Sequence, residues 1–217
     1  MDLFIDSAST HEISAWAETG LVTGVTTNPS LLAKSGRPVH EVLKEICALI
    51  DGPISAEVTA SDWGTMLREA EVLRAIHDNI VIKVPLTKDG LKACYHLVRR
   101  EIPVNVTLCF SAAQALMAAQ AGATFISPFL GRLDDTGVSG INLVRDIAEI
   151  YQKGEYGTAI LAASIRSAAH VEEAAKAGAH VATLPAKILE ALYHHPLTDK
   201  GLEIFEADWK QTGQSIL

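Results

Sequence analysis

The chain has 217 residues, is 48% hydrophobic and carries a formal charge of -8, so it can bury a substantial core in one domain or at most two. No run approaches the roughly 18 apolar residues that span a bilayer, and Met1-Asp2-Leu3-Phe4-Ile5-Asp6 lacks the basic start of a signal peptide, which predicts a cytoplasmic protein without a membrane partner. The dispersed basic residues exclude the concentrated positive face of a non-specific nucleic-acid binder. An anionic small molecule stays open, given a few local arginines.

The first element expected is a strand over 3–8, followed in chain order by strands over 22–28, 54–59, 80–85, 103–108, 123–129, 158–164 and 180–185. Between them run amphipathic stretches such as 62–77, 111–121, 139–152 and 167–177, several opening on an N-capping Ser or Asp, with Ser61 the expected cap before Asp62. Gly20, Gly122 and Gly178 mark helix ends, because glycine readily takes the left-handed cap. Repeated β/α units in one chain of this length close most naturally into a (β/α)8 TIM barrel spanning 1–217. A doubly wound open sheet is the weaker alternative, because no Gly-x-Gly-x-x-Gly element is present. Beyond Pro196, an extra C-terminal helix over 197–212 carries Leu202, Phe205 and Trp209 on one stripe, which must be covered by its own barrel or by a neighbouring subunit.

Lys83 stands out within Ile80-Val81-Ile82-Lys83-Val84-Pro85, a run that reads as a fully buried parallel strand. Desolvation favours the neutral amine of a buried lysine, and that amine is a nucleophile towards a carbonyl carbon. Edge protection or snorkelling to water is the plainer reading of a strand lysine.

In a barrel, alternate side chains point inward and chemistry gathers at the carboxyl ends of the strands. Polar residues on one parity at those ends are Asp6, Thr26 with Asn28, Glu57, Lys83, Asn105 with Thr107, Ser127 with Phe129, and Ser164. Asp6 could instead cap a helix, and Asn28 could simply organise the Thr26-Thr27-Asn28-Pro29-Ser30 turn. Glu57, inside a buried strand, needs a partner, and Lys83 on the adjacent strand is the natural one. An ionised Glu57 would favour the ammonium form and oppose the effect of burial, unless a water or the Thr107 hydroxyl lay between them. For an anion, Arg132 and the strand-to-helix junction Ser164-Ile165-Arg166-Ser167 offer donors at the rim where barrel phosphates often bind. A surface salt bridge is the alternative for either arginine.

Cys47, Cys94 and Cys109 are odd in number and lack Cys-x-x-Cys spacing, so reduced buried thiols are expected rather than a disulfide or a zinc site. The histidines, His194-His195 included, show no metal-ligand spacing.

These residues resemble the transaldolase family, in its short-subunit branch that also includes the fructose 6-phosphate aldolases. The resemblance runs end to end through Phe4-Ile5-Asp6-Ser7-Ala8, Gly24-Val25-Thr26-Thr27-Asn28-Pro29-Ser30-Leu31, Ile82-Lys83-Val84-Pro85, Asn105-Val106-Thr107-Leu108, Ser127-Pro128-Phe129-Leu130-Gly131-Arg132, Ala163-Ser164-Ile165-Arg166 and His195-Pro196-Leu197-Thr198-Asp199. It implies Lys83 as the Schiff-base lysine, Asp6 as the general acid/base, and Glu57 with Thr107 as the pair that positions a water. It further implies Asn28, Asn105 and Ser127 around a dihydroxyacetone unit, and Arg132, Ser164 and Arg166 around a phosphate.

By the same resemblance, the aldolase branch typically has glutamine at the place of Glu57 and a proton-donating tyrosine at the place of Phe129, so this chain sides with the transaldolases. The implied activity is transfer of dihydroxyacetone between sugar phosphates without metal or organic cofactor, in a homo-oligomer built as a pentamer or decamer. A fructose 6-phosphate aldolase is the nearest alternative, and a non-catalytic sugar-phosphate binding barrel is a further one.

Overall fold

The computed structural model describes residues 1–217. Eight strands, β1 (Asp2–Asp6), β2 (Val22–Thr26), β3 (Ile54–Glu57), β4 (Ile80–Pro85), β5 (Val104–Cys109), β6 (Phe125–Pro128), β7 (Ala159–Ala162) and β8 (Val181–Leu184), form a closed barrel in sequence order. Every neighbouring pair is parallel, and β1 closes the ring on β8. The (β/α)8 expectation therefore holds, and the open-sheet alternative falls because no strand is left at an edge.

Eleven helices connect and follow the strands: α1 (Thr10–Ala17), α2 (Pro29–Ser35), α3 (Val39–Leu49), α4 (Trp63–Arg74), α5 (Lys88–Val98), α6 (Ala112–Gln120), α7 (Leu130–Asp134), α8 (Gly140–Lys153), α9 (Ala168–Lys176), α10 (Ala186–Ala191) and α11 (Pro196–Thr212). Ser111, Ser139 and Ser167 cap α6, α8 and α9 as their positions predict, each hydroxyl accepting a backbone N–H from the first turn. At α4 the cap is Asp62 rather than Ser61: the carboxylate accepts the Thr65 N–H at 2.9 Å, so the helix starts one residue later than expected. Gly20, Gly122 and Gly178 all adopt positive φ just beyond helix ends, where a side chain would be strained.

Two apolar layers result from strand alternation. Outward residues such as Ile5, Val25, Ile54, Ile82, Val106, Ile126 and Leu184 pack under the helices in the main core. A separate, smaller cluster of Phe4, Leu161, Ala163 and Val181, with Phe125 and Phe129 against it, fills the barrel lumen. Phe4 and Phe125 meet edge to face at 6.2 Å. Gly24 makes room for this packing, since a Cβ there would lie 2.6 Å from the Phe4 ring.

α11 differs from the other long helices: none of its residues is buried, and Leu197, Leu202, Ile204, Phe205 and Trp209 stand exposed. Its start at Pro196 is one residue earlier than the sequence indicated, as suits proline in a first turn. No helix is long and apolar enough to cross a membrane.

Candidate active site

Above the Phe4–Phe125 floor, at the carboxyl ends of the strands, lies a cavity of about 430 Å³. Asp6, Thr26, Asn28, Glu57, Lys83, Thr107, Ser127, Phe129, Arg132 and Ser164 all line it, so one constellation gathers nearly all the residues singled out from strand-end parity. Strand register explains this. Glu57 is aligned with Lys83 across β3 and β4, Lys83 with Asn105 across β4 and β5, and Asp6 with Thr26 across β1 and β2.

Lys83 is the one buried lysine of the chain. Its Nζ donates to the Thr27 carbonyl at 3.0 Å and meets Glu57 Oε2 at 3.0 Å. Both side chains are largely withdrawn from water, at 7% exposure for Lys83 and 15% for Glu57. The sequence left open a water or the Thr107 hydroxyl as a spacer between them. Instead the contact is direct, and Thr107 Oγ1 is the single buried side-chain oxygen or nitrogen without a hydrogen-bond partner. An orphaned buried hydroxyl costs roughly 1–3 kcal/mol in desolvation. Inside a polar cavity beside an amine and a carboxylate, it is ready to hold a water or a substrate oxygen.

Asp6 does not cap a helix; Ser9 does that for α1. The Asp6 carboxylate accepts the Thr26 hydroxyl at 2.7 Å, and Thr26 shares a 2.6 Å contact with Thr183. Burial pushes the Asp6 carboxyl above its ordinary value of 3.8, against the opposing pull of the Thr26 hydrogen bond and the Lys83 charge. A carboxyl that retains its proton more readily is suited to taking one and returning it.

Asn28 organises its turn and also faces the cavity. Its side chain accepts the Leu31 N–H at 2.9 Å, capping α2, and the residue also lines the cavity. Asn105 stands behind the wall: fully buried, it donates to Ser55 Oγ at 3.1 Å and accepts from Ser127 Oγ at 2.7 Å. Its contact with the cavity therefore runs through Ser127.

The residues expected around an anion separate. Arg132 lines the cavity, stacks over the Phe129 ring at 5.0 Å and has no carboxylate within ion-pair distance. Ser164 also lines it, with φ of 57°, and Leu108 beside the cavity has φ of 63°. Non-glycine residues held in this region cost of order 1–3 kcal/mol each and cluster at functional sites. Arg166 lies outside the cavity lining, bound in a fork to Asp135, with Nη2 to Oδ2 at 2.5 Å. That pairing raises the guanidinium above its ordinary value and lowers the Asp135 carboxyl. Arg166 rests against Gly131, where a Cβ would lie 2.5 Å from both the Ser164 carbonyl oxygen and Arg166 Nε, so only glycine permits this junction.

Two cavity residues escaped sequence reasoning. Thr183 follows Val181 by two and thus shares its inward parity, so the parity rule applied to β8 would have found it. Lys34 sits one helical turn after Ser30 on α2, and both line the cavity.

No group of three or more His, Cys, Asp or Glu is placed to hold a metal ion. All three cysteines are free and buried, and burial pushes the Cys94 and Cys109 thiols up to about 12.

Among solved structures, the chain resembles a mandelate oxidase (TM-score 0.61, 19% identity, 85% of this chain and 64% of that one). It also resembles an inosine 5' monophosphate dehydrogenase from Legionella pneumophila (TM-score 0.59, 15% identity, 85% and 58%). At such identity, these likenesses concern the fold alone. Sequence relatives are far nearer. A probable transaldolase of Chelativorans sp. (strain BNC1) is 61% identical over 216 residues, and one of Caulobacter vibrioides is 58% identical over 217 residues, each covering 100% of both chains. The family described as transaldolase/fructose-6-phosphate aldolase matches residues 3–216. A barrel whose buried lysine and two carboxylates open into one cavity, matched from end to end by this family and these relatives, places the chain in the transaldolase/fructose-6-phosphate aldolase family.

Proposed function

We propose that the protein is a transaldolase that moves a dihydroxyacetone unit from a ketose phosphate to an aldose phosphate through an imine on Lys83. The donor is sedoheptulose 7-phosphate or fructose 6-phosphate, and the acceptor glyceraldehyde 3-phosphate or erythrose 4-phosphate. The observation that carries this reading is the buried Lys83 Nζ at the cavity, 3.0 Å from a carboxylate oxygen of Glu57.

Glu57 takes a proton from Nζ, the neutral amine attacks the ketone carbon to give a carbinolamine, and Glu57 returns the proton to the hydroxyl, which leaves as water to give the protonated imine. The free Thr107 hydroxyl is available to hold that water. Asp6 then takes the proton from the C4 hydroxyl, the C3–C4 bond breaks, and its electrons pass into the protonated imine to form an enamine. The aldose phosphate leaves with its new aldehyde. A second aldose phosphate enters, and the steps reverse onto it.

Asn28 and Ser127 contact the hydroxyls of the three-carbon unit. Asn105 fixes the Ser127 hydroxyl from behind. Arg132 and Ser164 take the phosphate, joined by Arg166 where Asp135 releases it. Phe129 lines the cavity without a hydroxyl to protonate the enamine, which favours transfer over release. No step draws on a metal or organic cofactor.

The test is borohydride reduction in the presence of fructose 6-phosphate. A three-carbon adduct on Lys83, absent from Lys83→Met, is the expected result; a label on Lys187, or none, overturns the mechanism.

The same reading places one domain over 1–217 in the cytoplasm, where free thiols such as Cys47, Cys94 and Cys109 stay reduced. It assigns the helix over 197–212 to the surface of a neighbouring subunit in a pentamer or decamer, because Leu202, Phe205 and Trp209 find no cover on their own barrel. A single-chain mass by light scattering would contradict that assembly.

A further inference from the structure

The cavity wall holds three cationic side chains, Lys34, Lys83 and Arg132. Lys83 is engaged with Glu57, whereas neither Lys34 nor Arg132 has a carboxylate within ion-pair distance, the charge of Arg132 reaching Asp135 only from farther off. A phosphate monoester carries close to two negative charges at neutral pH, and one guanidinium does not balance them. Arg166 is the obvious second cation by position, but it lies outside the lining and joins the phosphate only by giving up its ion pair with Asp135.

Lys34 meets the need without breaking an ion pair. It extends from α2, the helix that follows β2, and Arg132 extends from α7 after β6. In a closed ring of eight strands, β2 and β6 stand opposite each other, so the two free cations approach the mouth from opposite walls. Ser30, one turn before Lys34, adds a hydroxyl on the same helical face. In a chain of net charge -8, two unpaired cations at one mouth make a local positive spot that attracts an anionic sugar end against the global field.

We propose that Lys34 is a specificity-determining residue that supplies the second positive charge to the phosphate-bearing end of the sugar, opposite Arg132. This rests on the transaldolase reading above and extends it to a residue outside the barrel strands. Lysine suits the place: it acts as a mobile point charge that can follow sugar phosphates of different length, where a forked guanidinium demands one geometry.

The test compares Lys34→Ala and Lys34→Arg with the unaltered protein, using fructose 6-phosphate in the transfer assay and dihydroxyacetone in borohydride capture on Lys83. Lys34→Ala is expected to raise the KM for fructose 6-phosphate about tenfold, with a change in dihydroxyacetone capture at least fivefold smaller. Lys34→Arg, which keeps the charge but not the mobile geometry, should recover part of the affinity, and the salt dependence of kcat/KM should be shallower in Lys34→Ala. Equal losses with both ligands, or an unchanged KM, would overturn the role of Lys34. Failure of capture on Lys83 in the unaltered protein would instead remove the transaldolase reading itself, so the two failures are distinct.

Discussion

The barrel lumen has two layers, built by the same strands two residues apart. The lower layer is Phe4, Phe125, Leu161 and Val181, an apolar plug with an aromatic edge-to-face contact. One inward step towards the carboxyl ends turns Phe4 into Asp6, Val81 into Lys83, Phe125 into Ser127 and Val181 into Thr183. Alternation decides which residues face inward, and height along the strand then decides whether a residue supports the fold or reaches the cavity. The plug also matters to the chemistry, since it puts an apolar floor beneath the polar cavity.

Substitutions in the two layers should therefore part activity from stability. The largest effect is expected from Asp6→Asn in the upper layer, which removes the proposed acid/base and should lower kcat by about 10² to 10⁴-fold. The fold should survive this change, and its pH dependence carries a sign. The folded state raises the Asp6 carboxyl above 3.8, so Asp6 contributes stability that is fully present below 3.8 and lost as pH rises through the raised value. Asp6→Asn abolishes that loss: its Tm relative to the unaltered protein should climb across this window and level off above it. A flat difference would deny the burial effect.

Next in size is Phe4→Ala in the lower layer, expected to cost about 3–5 kcal/mol in denaturant unfolding by opening a cavity under the site. The KM of the molecules that remain folded should change little. A kcat loss matching that of Asp6→Asn, with stability intact, would erase the distinction between layers.

The smallest effect tests the boundary. Phe129 packs against the plug and lines the cavity at the same time. Phe129→Tyr would bring a proton donor to the enamine, so free dihydroxyacetone should increase several-fold relative to transfer while stability stays within about 1.5 kcal/mol. An unchanged product ratio would remove Phe129 from the account of transfer.

Much of this was legible in the order of residues. Eight β-branched runs separated by capped amphipathic stretches dictated the barrel, because strands joined by helices must run parallel and a closed ring leaves no edge to cover. Strand parity alone gathers Asp6, Glu57, Lys83, Thr107 and Ser127, since a period of two is a local property of the chain. Parity also pointed to Asn105, and there it reached only as far as the inward face: whether a side chain touches the cavity or stands behind Ser127 depends on packing between strands.

Long-range contacts decided the remainder. The sequence placed Arg166 at the phosphate rim and could not foresee Asp135, because an ion pair 31 residues apart is set by how α7 and the β7 junction meet across Gly131. It likewise left open whether Thr107 stood between Glu57 and Lys83. The register of β3 against β4 brings those two into direct contact and leaves Thr107 unpaired. Lys34 lies on a helix outside the strands, where strand parity carries no information, and only the closed barrel brings it to the cavity. Local periodicity, in short, fixes which side chains turn inward; the closure of the sheet and the packing of the loops at its carboxyl end fix which of them meet, and hence which charges stay free for a substrate.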